Sequence, residues 1–234
     1  DKIGPEIESL DMLQLKAKMD EIDPADIKKE TDRITTDWEY PLGKPKEHVI
    51  EKAIRMYMAS VRLCEEKKFD TFSYKCVDGV DLEMGLTHAV PSSLIADAGY
   101  PYVDENDLGN SVSQLMLKII SGKTVTFLEH YEHHPDWILL GEDGYCPRHF
   151  IEGKPQIKDV STVLLDGIAH CSNMKKGRLT LACLSEVNGG YRMHIVTGEG
   201  KERPQWVEMG VPLPSWPSVT FYPDSTVRNI LDHV

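Results

Sequence analysis

The chain has 234 residues, 41% of them apolar and 27% charged, with a net charge of −12. That length supports a sizeable core, in one large domain or two ordinary ones. The acidic balance argues against nucleic acid or an anionic membrane as partners and suits the binding of divalent cations.

Five cysteines (Cys64, Cys76, Cys146, Cys171, Cys183) without CxxC spacing read as thiols of a reduced, cytoplasmic protein. No run of about 18 apolar residues and no signal peptide is seen. The first residue is not Met, so the chain reads as a piece of a longer or processed protein.

Residues 1–40 are charge-rich and helical in pattern. Met12, Leu13, Leu15, Met19 and Ile22 form an imperfect stripe, and Asp23-Pro24 breaks it and starts a second helix over 25–35. The acid clusters here read as a solvated face. The clearest helix covers 45–67: Pro45 suits its first turn, and Ile50, Ile54, Tyr57, Val61 and Cys64 line one face. A strand follows over 69–76. Lys75 and Cys76 lie at its end, where α/β proteins place ligands, although a structural lysine and a buried thiol are the plainer reading. Residues 81–98 read as one or two short helices ending at Gly99.

Next comes YPYVDEND (100–107), followed by an amphipathic helix. Leu108, Val112, Leu115, Met116, Ile119 and Ile120 form its apolar stripe, Asn106 or Asp107 its N-cap and Gly122 its stop. Glu105 therefore sits just before a helix N-terminus. In the strand pattern that follows, Val125, Phe127, Glu129 and Tyr131 share a face. A carboxylate on an apolar strand face is expensive unless something neutralises it. Two acids, one at a strand-to-helix turn and one on an inward strand face, suit a hard divalent metal. The competing readings are a helix-dipole role for Glu105, and for Glu129 an ion pair or a solvent-facing position.

From Lys123 the character turns to β. Residues 138–141 form a candidate strand, 178–184 and 190–197 flank the hairpin signal Asn188-Gly189, and 162–167 and 205–210 add candidates. Pro212, Pro214, Pro217 and Pro223 punctuate the tail, and a helix begins at Thr226. The reading is α/β with a parallel sheet over 1–122, then an antiparallel β domain over 123–234.

The histidine-rich run EHYEHHPD (129–136) invites a zinc hydrolase built on His130, His133 and His134. HExxH is absent, however, and the deaminase signature fails because Cys146-Pro147 is reversed. Surface positions are the plainer reading for these histidines. His194 reads as a polar-face residue, and His170 beside Cys171 has no reading.

SSLIADAGYPYVDEND, then TFLEHYEHH and LLGEDGYCP, resemble the core of the L-arabinose isomerase and L-fucose isomerase superfamily over about residues 70–234. The resemblance implies a Rossmann-like α/β domain followed by a small antiparallel β-barrel, with the family's N-terminal domain lacking. It implies that Glu105, in the "END" turn, and Glu129 hold Mn²⁺ or Mg²⁺ and also form the acid/base pair of an aldose–ketose isomerase working through an enediol. A sugar substrate and a homo-oligomer, trimer or hexamer, follow from it. Gly141-Glu142-Asp143 stands where the arabinose branch has a metal-binding histidine, which the fucose branch also lacks. The family's last histidine is expected beyond Val234, His233 being a poor stand-in. The alternative is a non-catalytic or repurposed sugar-binding relative.

Overall fold

The structure is a computed structural model that describes residues 4–203 and 216–232. Three helices open the chain: α1 (Met12–Asp20), α2 (Pro24–Ile34) and α3 (Glu47–Lys67). Asp11 and Asp23 cap α1 and α2, each accepting a backbone N–H two residues on. The Asp23-Pro24 break thus falls where expected. Helix α3 ends on Lys68 in the left-handed region, and its buried face includes Ile50, Ile54, Met56, Ala59, Leu63 and Cys64. Tyr57 and Val61 are only half-buried. Leu15, Met19, Ile22 and Ile27 pack with Met56, Ala59 and Leu63 in one core.

Strand β1 (Phe72–Tyr74) runs parallel to β2 (Tyr102–Asp104), with Tyr74 opposite Asp104. Their carboxyl ends therefore coincide. Between them lie a π-helix (Cys76–Met84) and α4 (Ala89–Asp97). The helical character expected over 81–98 thus divides into two elements, and the first starts at the end of β1. After β2 comes α5 (Leu108–Ser121), capped by Asp107 and stopped at Gly122.

Helix α5 does not sit as its pattern suggests. Its buried residues are Ser111, Ser113 and Gln114, while Ile119 and Ile120 are 72% and 80% exposed. The buried polar face is largely hydrogen-bonded: Ser113 Oγ accepts the Leu184 N–H at 2.8 Å, and the Gln114 amide donates to the Tyr102 carbonyl at 2.6 Å, while Gln114 Oε1 has no partner.

The second half is a curled antiparallel half-barrel. Its strands are β3 (Glu129–His133), β4 (Ile138–Gly141), β7 (Gly177–Val187), β8 (Gly190–Lys201) and β9 (Ser218–Pro223), in the order β3-β4-β9-β8-β7. A separate pair, β5 (Ile157–Asp159) and β6 (Ile168–His170), flanks the expected 162–167 strand, which is a loop. Asn188 and Gly189 both have positive φ and turn the β7–β8 hairpin as read. Helix α6 (Val227–Leu231) follows β9; the 205–210 strand and His233 lie outside the described residues. The chain is thus a mixed α/β fold with a small parallel sheet and an antiparallel half-barrel. Residues of the second half enter the first core, as Tyr145 and Phe127 pack with Tyr74 and Tyr102. No described helix is long and apolar enough to cross a membrane.

Candidate functional site

The carboxyl end of β2 lies near the Glu129 and Glu142 positions of the half-barrel, since the Asp104 charge acts on both. Glu105 and Asn106, just after β2, both take left-handed backbone angles, with φ of 57° and 59°. For residues other than glycine this is strained by about 1–2 kcal/mol each. Ser73 holds the turn: its hydroxyl donates to the Val103 carbonyl at 2.7 Å and accepts the Asn106 N–H at 3.0 Å. The Glu105 side chain is exposed there.

Across from this turn, Glu129 at the start of β3 pairs with Gly141 at the end of β4. That register brings Glu129 beside the Gly141-Glu142-Asp143-Gly144 loop. The expected strand over 125–131 begins only at Glu129, and a bulge near Tyr131 shifts its register. Glu129 is therefore not inward on an apolar face but exposed. Its carboxyl is nonetheless raised, by partial burial and then by the charges of Asp104, Glu105 and Asp143. The two carboxylates named from the sequence thus face the same charged neighbourhood.

Two glycines shape the loop. A Cβ on Gly141 would lie 2.6 Å from the Pro217 carbonyl, and one on Gly144, whose φ is +75°, would lie 2.5 Å from Ala169 Cβ. Gly144→Ala should therefore destabilise the fold by about 1–3 kcal/mol, read as a lower urea midpoint. An unchanged midpoint would show that the loop relaxes freely.

At the centre is a side chain next to Glu105. Asp104 Oδ1 accepts the Tyr102 hydroxyl at 2.5 Å and lies 3.1 Å from His88 Nε2. Burial alone would raise the Asp104 carboxyl, but the His88 hydrogen bond and charge hold it below the usual carboxylate range. His88 itself, with a side chain 16% exposed, is disfavoured as a cation by burial; the Asp104 and Asp81 carboxylates outweigh this and raise it to about 9. Glu142 behaves oppositely. Burial first, and then the Asp104 charge, push its carboxyl up to about 8, although Oε1 accepts the Asp143 N–H at 2.9 Å. Asp143 is also raised, chiefly by burial, with Lys158 and His88 opposing.

Five carboxylates thus converge, opposed chiefly by His88 and Lys158. Buried Glu142 Oε2, Asp81 Oδ1 and His88 Nδ1 have no hydrogen-bond partner. Surplus negative charge with unsatisfied buried oxygens is what a bound divalent cation would neutralise, so the residues present fit such an ion. The donors such an ion would draw on are Glu105, Glu129, Asp104 and Glu142, although among the described residues these four do not stand within metal-sized spacing of one another, and only Asp104 belongs to a group that does. Among the described residues, His130, His133 and His134 do not gather with a further donor into a metal-sized group; His130 contacts His133 at 3.2 Å and His134 contacts Glu132 at 2.9 Å. Of two sizeable clefts, of about 450 and 550 Å³, neither is lined by any of the five carboxylates, although the first reaches the end of β1 and the adjoining turn at Ser73, Lys75 and Asn106.

Asp104 and His88 escaped the sequence reading. The signal for Asp104 was its place at the end of a Tyr-Val-Asp strand, the same rule that singled out Lys75 and Cys76. His88 gave no signal beyond standing just before a helix. Neither the known family models nor the curated proteins include a match to this chain.

Proposed function

We propose that the protein is a metal-dependent aldose–ketose isomerase of the arabinose/fucose isomerase type. The observation that carries this reading is the meeting of Glu105, Glu129 and Glu142 around Asp104 at the carboxyl end of the parallel strands. On this reading β1 and β2 belong to a Rossmann-like layer, and the half-barrel is the family's small barrel.

Glu105 and Glu129 would hold Mn²⁺ or Mg²⁺, which would polarise the sugar carbonyl and steady the charge on its oxygens. The rest of the chemistry falls to the chain. Moving a carbonyl from C1 to C2 shifts one proton between carbons and one between oxygens. Glu129, raised and accessible, takes the carbon-bound proton and returns it to the neighbouring carbon. Glu142 keeps its proton near neutral pH and has a hydrogen to offer a sugar oxygen. Asp104 stays ionised beside the His88 imidazolium and sets the field in which Glu142 remains protonated. Glu105, on its strained turn, is the partner carboxylate of the pair, its charge acting on Glu129.

The test is isomerisation in deuterated water with added Mn²⁺, followed by proton NMR. Solvent deuterium should enter the product at the carbon that receives the proton. Loss of that label across several converted sugars would replace the enediol by a hydride shift. No conversion of any aldopentose, aldohexose or deoxyhexose with Mn²⁺, Mg²⁺ or Co²⁺ would overturn the isomerase reading.

A further inference from the structure

Behind the exposed carboxylates lies a second set of donors of different character. Cys76 Sγ, a nitrogen of His88 and an oxygen of Asp104 all lie within 4.8 Å of one another. The three come from separate places: the first residue of the π-helix, the residue before α4 and the last residue of β2. A nine-residue π-helix is rare, and such windings gather at functional sites. Here it starts at Cys76 and carries Asp81 back towards His88, with Asp81 Oδ1 3.9 Å from His88 Nδ1.

The geometry points to an inner metal site for a borderline-soft divalent ion, Zn²⁺ or Co²⁺, held by Cys76 Sγ, His88 Nε2 and Asp104 Oδ1. The donor types decide the class of ion: a thiolate and an imidazole favour Zn²⁺ and Co²⁺ over the Mn²⁺ or Mg²⁺ that carboxylates prefer. Nε2 is the nitrogen facing Asp104, at 3.1 Å, so the buried and unpartnered Nδ1 faces Asp81. A carboxylate behind the far nitrogen of a ligating histidine is the usual arrangement at zinc, because it fixes the ring and its tautomer. Thiolate, carboxylate and neutral imidazole together balance the two charges of the ion. Binding displaces one proton from Cys76 and one from His88 to solvent. The donors need only close from 4.8 Å to the spacing of a tetrahedral site, where metal–ligand distances are about 2.0–2.3 Å. Cys76 takes no part in the proton transfers assigned above, whereas His88 and Asp104 are shared with that reading: an ion here would stand in for the His88 imidazolium beside Asp104.

Cobalt is the probe. Metal-stripped protein, kept reduced, is titrated with Co²⁺ while the near-ultraviolet thiolate-to-cobalt charge-transfer band and the visible ligand-field bands are followed. The wild-type chain should develop the charge-transfer band with one equivalent of Co²⁺ at the inner site, and Zn²⁺ should displace it. Cys76→Ser should lose the band, whereas Glu129→Gln should keep it. Asp81→Asn leaves all three donors in place and should weaken affinity about 10–100-fold. Circular dichroism confirms that each variant is folded. Absence of the band from the wild-type protein, or its persistence in folded Cys76→Ser, would overturn the site. Isomerase activity lost in Glu129→Gln with the cobalt band intact would separate the outer carboxylates from the inner centre.

Discussion

Glu129→Gln should lose most Mn²⁺ affinity and lower isomerisation by about 10²–10⁴-fold, the usual effect of removing a positioned general base. The amide is close in shape to the carboxylate, so packing should survive and the thermal midpoint should hold or rise. A rise is reasonable because Asp104, Glu105 and Asp143 repel the Glu129 charge. Loss of metal binding together with equal or better stability is the mark of a charge kept for a ligand rather than for the fold. Glu105→Asp sharpens the distinction. A shortened side chain on the left-handed turn keeps the charge but withdraws the second oxygen, so turnover should fall more than Mn²⁺ affinity. Electron paramagnetic resonance of free Mn²⁺ during titration gives the affinities, and a coupled sugar assay gives the rates. Parent-like Mn²⁺ binding in Glu129→Gln would remove Glu129 from the ligand set.

The parts of the molecule that could be read from the chain are those governed by local chemistry. Asp23-Pro24, Asp107, Gly122 and Asn188-Gly189 each act through their own backbone, and each stands where it was read. Glu105 at a turn before a helix is of the same kind. Alternation from Val125 places Glu129 on an inward face, yet the residues before Glu129 precede the strand and the bulge near Tyr131 resets the pleat. Asp104 and His88 depend on non-local events: β1 and β2 pair across 30 residues, from Phe72 to Tyr102, and a π-helix swings Asp81 towards His88. No period in the sequence marks a π-helix. In α5 the apolar stripe is real, but what packs against the helix is the Ser113 and Gln114 face, chosen by hydrogen bonds to β7 and β2.

The metal-free protein should be less stable at pH 9 than at pH 6.5, and Glu142→Gln should flatten that slope. Two groups set the sign. The His88 pKa rises from 6.5 to about 9 on folding, so its stabilising contribution is complete below pH 6.5 and is lost as pH climbs through 9. The Glu142 pKa rises from 4.5 to about 8; between those values the folded state holds a proton that the unfolded chain has released, so stability also falls as pH rises. Both slopes run the same way, together on the order of a few kcal/mol. His170, which burial lowers to about 3, contributes in the opposite sense, but mostly between pH 3 and 6.5 and so below this window. Asp97, raised to about 7 mainly by burial, acts mostly below the window. Glutamine at 142 carries no charge at any pH and can donate to Asp104, so the variant should exceed the parent already at pH 6.5, which is well above 4.5, and by a wider margin at pH 9. Urea midpoints across the window, in chelator, measure this directly. A slope as steep in Glu142→Gln as in the parent would mean that Glu142 is already ionised at pH 6.5, and with it would go the proton assigned to this carboxyl for the sugar oxygen.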